Sequence, residues 1–157
     1  MTQYQFTEER QMEQSLREQG RIITVPVGIS MWPMLKNRQD HIVITTVTRP
    51  LRRYDVPMYR RNTGKFVLHR IIKVRKDGRY VICGDNLWRK EYHVRDEDIV
   101  GVLAGFFKGD RYIDCETNHL YHAYVYIWRF LYPIRSCLLI SKEYAAKIKR
   151  MFMKNKK

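Results

Sequence analysis

FVLHRIIKVRKDGRYVIC, residues 66–83, reads as two short β-strands around a turn. Val, Ile and Phe dominate residues 66–74 and 79–83, and Arg75-Lys76-Asp77-Gly78 separates them. Asp-Gly suits a hairpin turn, because glycine tolerates positive φ. Working outward, runs of the same character recur at 22–27, 41–47, 54–60 and 99–107, with 111–114 a weaker case. Many short strands without long intervening helices predict a mostly-β (α+β) fold, a small barrel or sandwich. Helices are expected only at the ends. Residues 7–19 follow a capping Thr7, carry Glu8 and Glu9 in the first turn and stop at Gly20. With only Met12 and Leu16 as apolar residues, that helix is expected at the periphery. Residues 117–152 return to helical spacing through Leu120, Ile127, Leu131 and Ile134. Pro133 is expected to end or kink the first helix near Tyr132, with a second helix over 140–152. The division is therefore 1–20 helix, 21–116 β domain, 117–157 basic helical segment.

A chain of 157 residues is long enough to bury a core without disulfides or metal. Its composition excludes collagen-like, low-complexity and disulfide-scaffold classes. Thirty Lys and Arg against sixteen Asp and Glu leave a net charge of +14, which predicts an anionic neighbour. More than half of that excess, +8, lies in residues 119–157. Cys83, Cys115 and Cys137 are odd in number and contain no CxxC, so neither a disulfide framework nor a metal site follows, and no cofactor is expected. The first twenty residues lack an apolar run of signal-peptide type. Arg129 and Arg135 interrupt the most apolar stretch, 120–140, so no spanning helix is expected and the location expected is cytoplasmic.

Four features carry chemistry: GISMWPML (28–35), RYDV (53–56), VLHRIIKV (67–74) and CGDN (83–86), the last followed by DIVG (98–101). Positions two apart in a strand share a face, which places His69 with Val67 and Ile71, and Arg70 with Leu68 and Ile72. A partly desolvated imidazole stays neutral near pH 7 and can act as a base. A serine hydroxyl is a weak nucleophile until such a base takes its proton. Ser30 follows a strand-like run, where backbone N–H groups can meet a bound carbonyl oxygen.

In that order and spacing the features resemble the superfamily of type I signal peptidases and LexA-like self-cleaving repressors, over about residues 21–107. Ser30-Met31-x-Pro33 looks like the nucleophile box. Gln39-Asp40 with His41-Ile42-Val43-Ile44 resembles the strand after it, with Gln where Gly is usual. Arg53-Tyr54-Asp55-Val56 resembles a box that normally has Gly in place of Tyr54. His69-Arg70-Ile71-Ile72 resembles the base box, and Gly84-Asp85-Asn86 with Ile99-Val100-Gly101 the last box. Bacterial signal peptidases and LexA-like proteins carry Lys before that Arg; His69 is similar to the Ser–His variety of endoplasmic-reticulum-type, archaeal and some Gram-positive enzymes. The resemblance implies Ser30 as nucleophile and His69 as general base, forming an acyl-enzyme from a peptide or protein substrate. Gly28 stands where signal peptidases often have Ser, so Ser30 N–H is the one oxyanion donor implied. Asp85 and Glu91 are equal candidates for the acid that orients His69. Gly28, Ile29, Met31 and Pro33 are candidates for substrate contact, and Val25–Ile29 for pairing with an extended substrate. Met31 reads better as a core plug or pocket wall, and Cys83 as a small buried hydrophobe.

Residues 119–140 combine Tyr121, Tyr124, Tyr126, Trp128, Phe130 and Tyr132 with Arg129 and Arg135. One reading packs a helical pair onto the β domain with its aromatics in the core. Another lays residues 119–157 on an anionic membrane surface. Nucleic acid is not an expected partner, since no helix-turn-helix precedes residue 21. A non-catalytic peptide- or membrane-surface-binding module and a self-cleaving regulator are the rival functions.

Overall fold

The computed structural model describes residues 3–154. Helix α1 spans Gln3–Gln19, four residues earlier than expected, and ends where Gly20 turns to φ 71° and donates its N–H to the Leu16 carbonyl at 2.9 Å. Far from peripheral, α1 drives Leu16 into the core, where it is 1% exposed. The strands are β1 (Arg21–Thr24), β2 (His41–Thr45), β3 (Pro57–Arg60), β4 (Phe66–Leu68), β5 (Arg70–Val74), β6 (Tyr80–Cys83), β7 (Glu91–Val94), β8 (Ile99–Lys108) and β9 (Arg111–Asp114).

They form two antiparallel sheets rather than a closed barrel. The larger runs β1-β2-β8-β3-β4, with β9 also on β8; the smaller is β5-β6-β7. Strand β8 is the spine. One edge pairs with β2, and the other with β3 and then β9. The run expected as one strand over 66–74 breaks at His69, where the chain leaves the larger sheet and enters the smaller. That switch cancels strict alternation: His69, Arg70 and Ile71 are all buried in succession. Strand β7 was not among the expected strands, because EYHV has no alternating apolar pattern to signal it. Two apolar clusters result. One joins Leu16, Met31, Met34, Leu35, Ile44, Met58, Phe106 and the start of the last helix; the other joins Tyr59, Ile71, Tyr80, Ile82 and Val94.

That last helix, α2, is a single element over His119–Lys154. Asn118 caps it, its Oδ1 accepting the Tyr121 N–H at 3.0 Å. Pro133 neither ends it nor divides it in two. The ring is exposed, so the carbonyl it leaves unpaired can face water, and side chains on both flanks hold the helix to the β domain. Trp128 Nε1 donates to the Asp85 carbonyl at 3.1 Å, as does Arg135 Nη2, and Trp88 Nε1 donates to Glu143 at 2.8 Å. Both readings of the segment hold a share. Tyr121, Val125 and Trp128 are core, while Ile127, Phe130, Ile134 and Leu138 remain outside. Among the described residues, no helix is long and apolar enough to cross a membrane.

Candidate active site

Ser30 sits in the loop between β1 and β2. Gly28 turns that loop at φ 102°, and its N–H donates to Asn37 Oδ1 at 2.8 Å. Met31, Met34 and Leu35 anchor it by burying into the core, which leaves Ile29 and Trp32 outside. The candidate substrate contacts therefore divide. Gly28, Ile29 and Pro33 are exposed, whereas Met31 is 4% exposed and packs in the core. Among the described residues the Ser30 N–H has no hydrogen-bond acceptor.

The Gly84-Asp85-Asn86 turn meets this loop from behind, and its three residues do three different things. The Asn86 N–H donates to the Ser30 carbonyl at 2.7 Å, and Asn86 Nδ2 to the Ile29 carbonyl at 3.2 Å. Gly84 is the seam between Ser30 and His69. A Cβ there would lie 2.6 Å from the Ser30 carbonyl oxygen and 3.1 Å from His69 Nε2. Asp85 turns inward to Arg70. The Arg70 Nε and Nη2 donate to its two oxygens at 2.8 and 2.7 Å, and both side chains are 0% exposed. Tyr124 also donates to Asp85, at 2.9 Å. Asp85 is thus committed to Arg70 and does not orient His69, which corrects one of the two acid candidates. Their contacts differ accordingly: Arg70 reaches Asp85 and Tyr121, while His69 meets Tyr59 and Gly84.

Glu91 is the acid at His69. Its Oε1 lies 3.3 Å from His69 Nδ1. Tyr59, on β3, completes a triangle with them, its hydroxyl 3.1 Å from Nδ1 and donating to Glu91 Oε1 at 2.7 Å. Arg61 closes the far side, donating from Nη2 to Oε1 at 2.5 Å and from Nε to Oε2 at 3.1 Å. Burial pushes the Glu91 carboxyl up, but the hydrogen bonds from His69, Arg61 and Tyr59 prevail and hold it well below the carboxylate range. Burial, with Glu91 beside it, pushes the Tyr59 phenol well above its ordinary value. The imidazole is 2% exposed, and among the described residues its Nε2, facing the Gly84 seam, has no hydrogen-bond partner. No hydrogen bond joins Ser30 Oγ to His69 here; such contacts commonly tighten only in the substrate complex.

Tyr54, where glycine is usual in the resembling box, adopts φ 80°, a left-handed conformation costing roughly 1–2 kcal/mol for a residue with a side chain. Its N–H donates to the Ile71 carbonyl at 2.8 Å, and Arg53 lies over its ring at 4.8 Å, so the substitution is accommodated without losing the turn. Burial pushes the Cys83 thiol up, so it is a poor nucleophile. Among the described residues no group of three or more His, Cys, Asp or Glu is placed to hold a metal ion. Tyr59 and Arg61 escaped the sequence reading, because both look like ordinary members of a strand and the turn after it. Compared with known proteins, the chain matches no family model and no curated protein.

Proposed function

We propose that this chain is a serine endopeptidase of the signal-peptidase and LexA-like type, with Ser30 as nucleophile, His69 as general base and Glu91 as the orienting acid. The observation that carries the reading is the two-sided setting of His69. One ring nitrogen is engaged by Tyr59 and Glu91, and the other faces the seam beside Ser30. Ser30 Oγ attacks the scissile carbonyl carbon while His69 Nε2 takes its proton, and the oxyanion forms against the Ser30 N–H. The tetrahedral adduct collapses, Nε2 returns the proton to the departing amine, and the acyl group stays on Ser30. Water, deprotonated by the same nitrogen, attacks the acyl carbon, and the second adduct collapses to the free acid as Nε2 returns that proton to Ser30 Oγ. An extended leader-like peptide would lie along Val25–Ile29, where Val25, Val27 and Ile29 are exposed in alternation beside the free edge of β1. The test is new-terminus mass spectrometry on a denatured peptide library. Cuts made by the wild-type chain and absent with Ser30→Ala support the reading. Binding retained by both chains with no cuts from either would establish the non-catalytic module instead, and a cut only in the chain itself would establish the self-cleaving regulator.

A specific surface favours a peripheral membrane contact for the same protein. Ile127, Phe130, Ile134, Leu138, Tyr144 and Ile148 recur along the outer face of α2, each more than half exposed, and Arg129, Lys142 and Lys147 are exposed on the same helix. Apolar side chains beside cations suit the interface of an anionic bilayer. Flotation with phosphatidylserine vesicles, lost in Phe130→Glu/Ile134→Glu, checks it.

A further inference from the structure

We infer that Tyr59 is a positioning residue of this site, a hydroxyl that joins Glu91 in fixing which nitrogen of His69 is the base and moderates the pull of Glu91 on it. The inference rests on the peptidase reading for its kinetic consequences, but its structural half stands without turnover.

The argument is one of proton counting. Glu91 is held ionised by Arg61 and its other partners, so both its oxygens only accept. The Tyr59 hydroxyl has one proton. At 2.7 Å from Glu91 Oε1 that proton must lie between them, since two acceptors at that distance with no proton would repel. Tyr59 therefore has only lone pairs to offer His69 Nδ1, 3.1 Å away, and Glu91 Oε1 at 3.3 Å offers the same. Nδ1 must carry the proton. In the neutral ring that leaves the Nε2 lone pair, and Nε2 is the nitrogen at the Gly84–Ser30 seam. The direction of the whole chain, from Nδ1–H to the tyrosine oxygen and from the tyrosine proton to the carboxylate, follows from the anionic state of one residue.

The hydroxyl has a second effect. A carboxylate is a stronger partner for an imidazolium than a hydroxyl is, because charge-assisted bonds are roughly twice as strong as neutral ones. Tyr59 donates to Oε1 and so competes for it with Nδ1, which lies 3.3 Å from the same oxygen. The groups facing His69 are Tyr59 from β3, Arg61 after it and Glu91 from β7; the Ser30 loop and Gly84 bring no charge, and the Arg70–Asp85 pair lies across the strand. Removing the tyrosine hydroxyl frees Glu91 to close on Nδ1, which stabilises the imidazolium. Removing the carboxylate charge does the opposite.

The experiment is imidazole nitrogen NMR on the full chain carrying Ser30→Ala, with and without Tyr59→Phe or Glu91→Gln, beside pH–rate profiles of the Ser30 chains. Neutral His69 should carry its proton on Nδ1. Its titration should move to higher pH in Tyr59→Phe and to lower pH in Glu91→Gln, and the acid limb of kcat should follow, with kcat about tenfold lower in Tyr59→Phe and KM unchanged. A proton on Nε2, or shifts of the same sign in both variants, would overturn the assignment. Nδ1 protonation with opposed shifts in a chain that cleaves nothing would uphold the positioning role and reject the peptidase reading. Should Tyr59→Phe not fold, the tautomer of the Tyr59 chain and the Glu91→Gln shift decide.

Discussion

His69 and Arg70 are consecutive, yet they feed two carboxylate clusters of opposite character. Arg70 and Asp85 are sealed, both 0% exposed. The guanidinium also donates to Tyr121 Oη at 3.0 Å and the Tyr54 carbonyl at 3.1 Å, and lies near the rings of Tyr124 and Trp128. Every strong group there has its partner, so the cluster can only hold things in place: it ties β5, the Gly84-Asp85-Asn86 turn and α2 together. The His69–Glu91 cluster is left open at one end. Glu91 is 18% exposed under Arg61, which is 40% exposed, and a ring nitrogen is left over. Chemistry needs that surplus; a framework needs its absence.

Removing the cation of the sealed cluster should have the largest effect. Arg70→Met strands Asp85 in the interior and should cost about 3–5 kcal/mol by urea titration, with Arg70→Met/Asp85→Leu recovering much of it. If Arg70→Met were instead nearly neutral, the framework role would fall. Next, Gly84→Ala pushes a methyl into the Ser30 carbonyl and His69, and should lower kcat about a hundredfold for a stability cost of about 1–3 kcal/mol. The contrast in pH response comes third. The Glu91 carboxyl is depressed in the folded state, so its stabilisation is complete above the unfolded value of about 4.3 and is lost as pH falls through the lower folded value. Denaturation midpoints between pH 6 and 3 should fall more steeply for the wild-type chain than for Glu91→Gln. The smallest effect should come from Tyr132→Phe, on the rim of α2. Its contacts to Cys83 Sγ at 3.8 Å and the Trp88 carbonyl at 3.5 Å are long, and less than about 1 kcal/mol should be lost.

Much of this was legible locally. The hairpin around Asp77-Gly78, the long β8 and the terminal helices follow from alternation, turn chemistry and helical spacing. Strand β7 was not, because Glu91, Tyr92 and His93 face water or a polar cluster and leave no apolar period. Pro133 misled for a related reason. A proline rule concerns one missing hydrogen bond, whereas the Asp85, Trp88 and Glu143 contacts that keep α2 whole come from residues 40 to 60 positions apart.

By itself the amino-acid order determined most of the strands, the α+β class, the concentration of cationic charge in the last quarter, and Ser30 and His69 as candidate residues. It left Asp85 and Glu91 equal, since one lies in the GDN turn and the other follows it at short range. Only the tertiary structure separated them. At the switch of sheets His69 and Arg70 are both buried but meet different partners: Arg70 takes Asp85, and β7, pairing Glu91 with Ile82, brings the other carboxylate to the imidazole. Which acid serves which cation is a question of through-space register, and register is set by strand pairing rather than by distance along the chain.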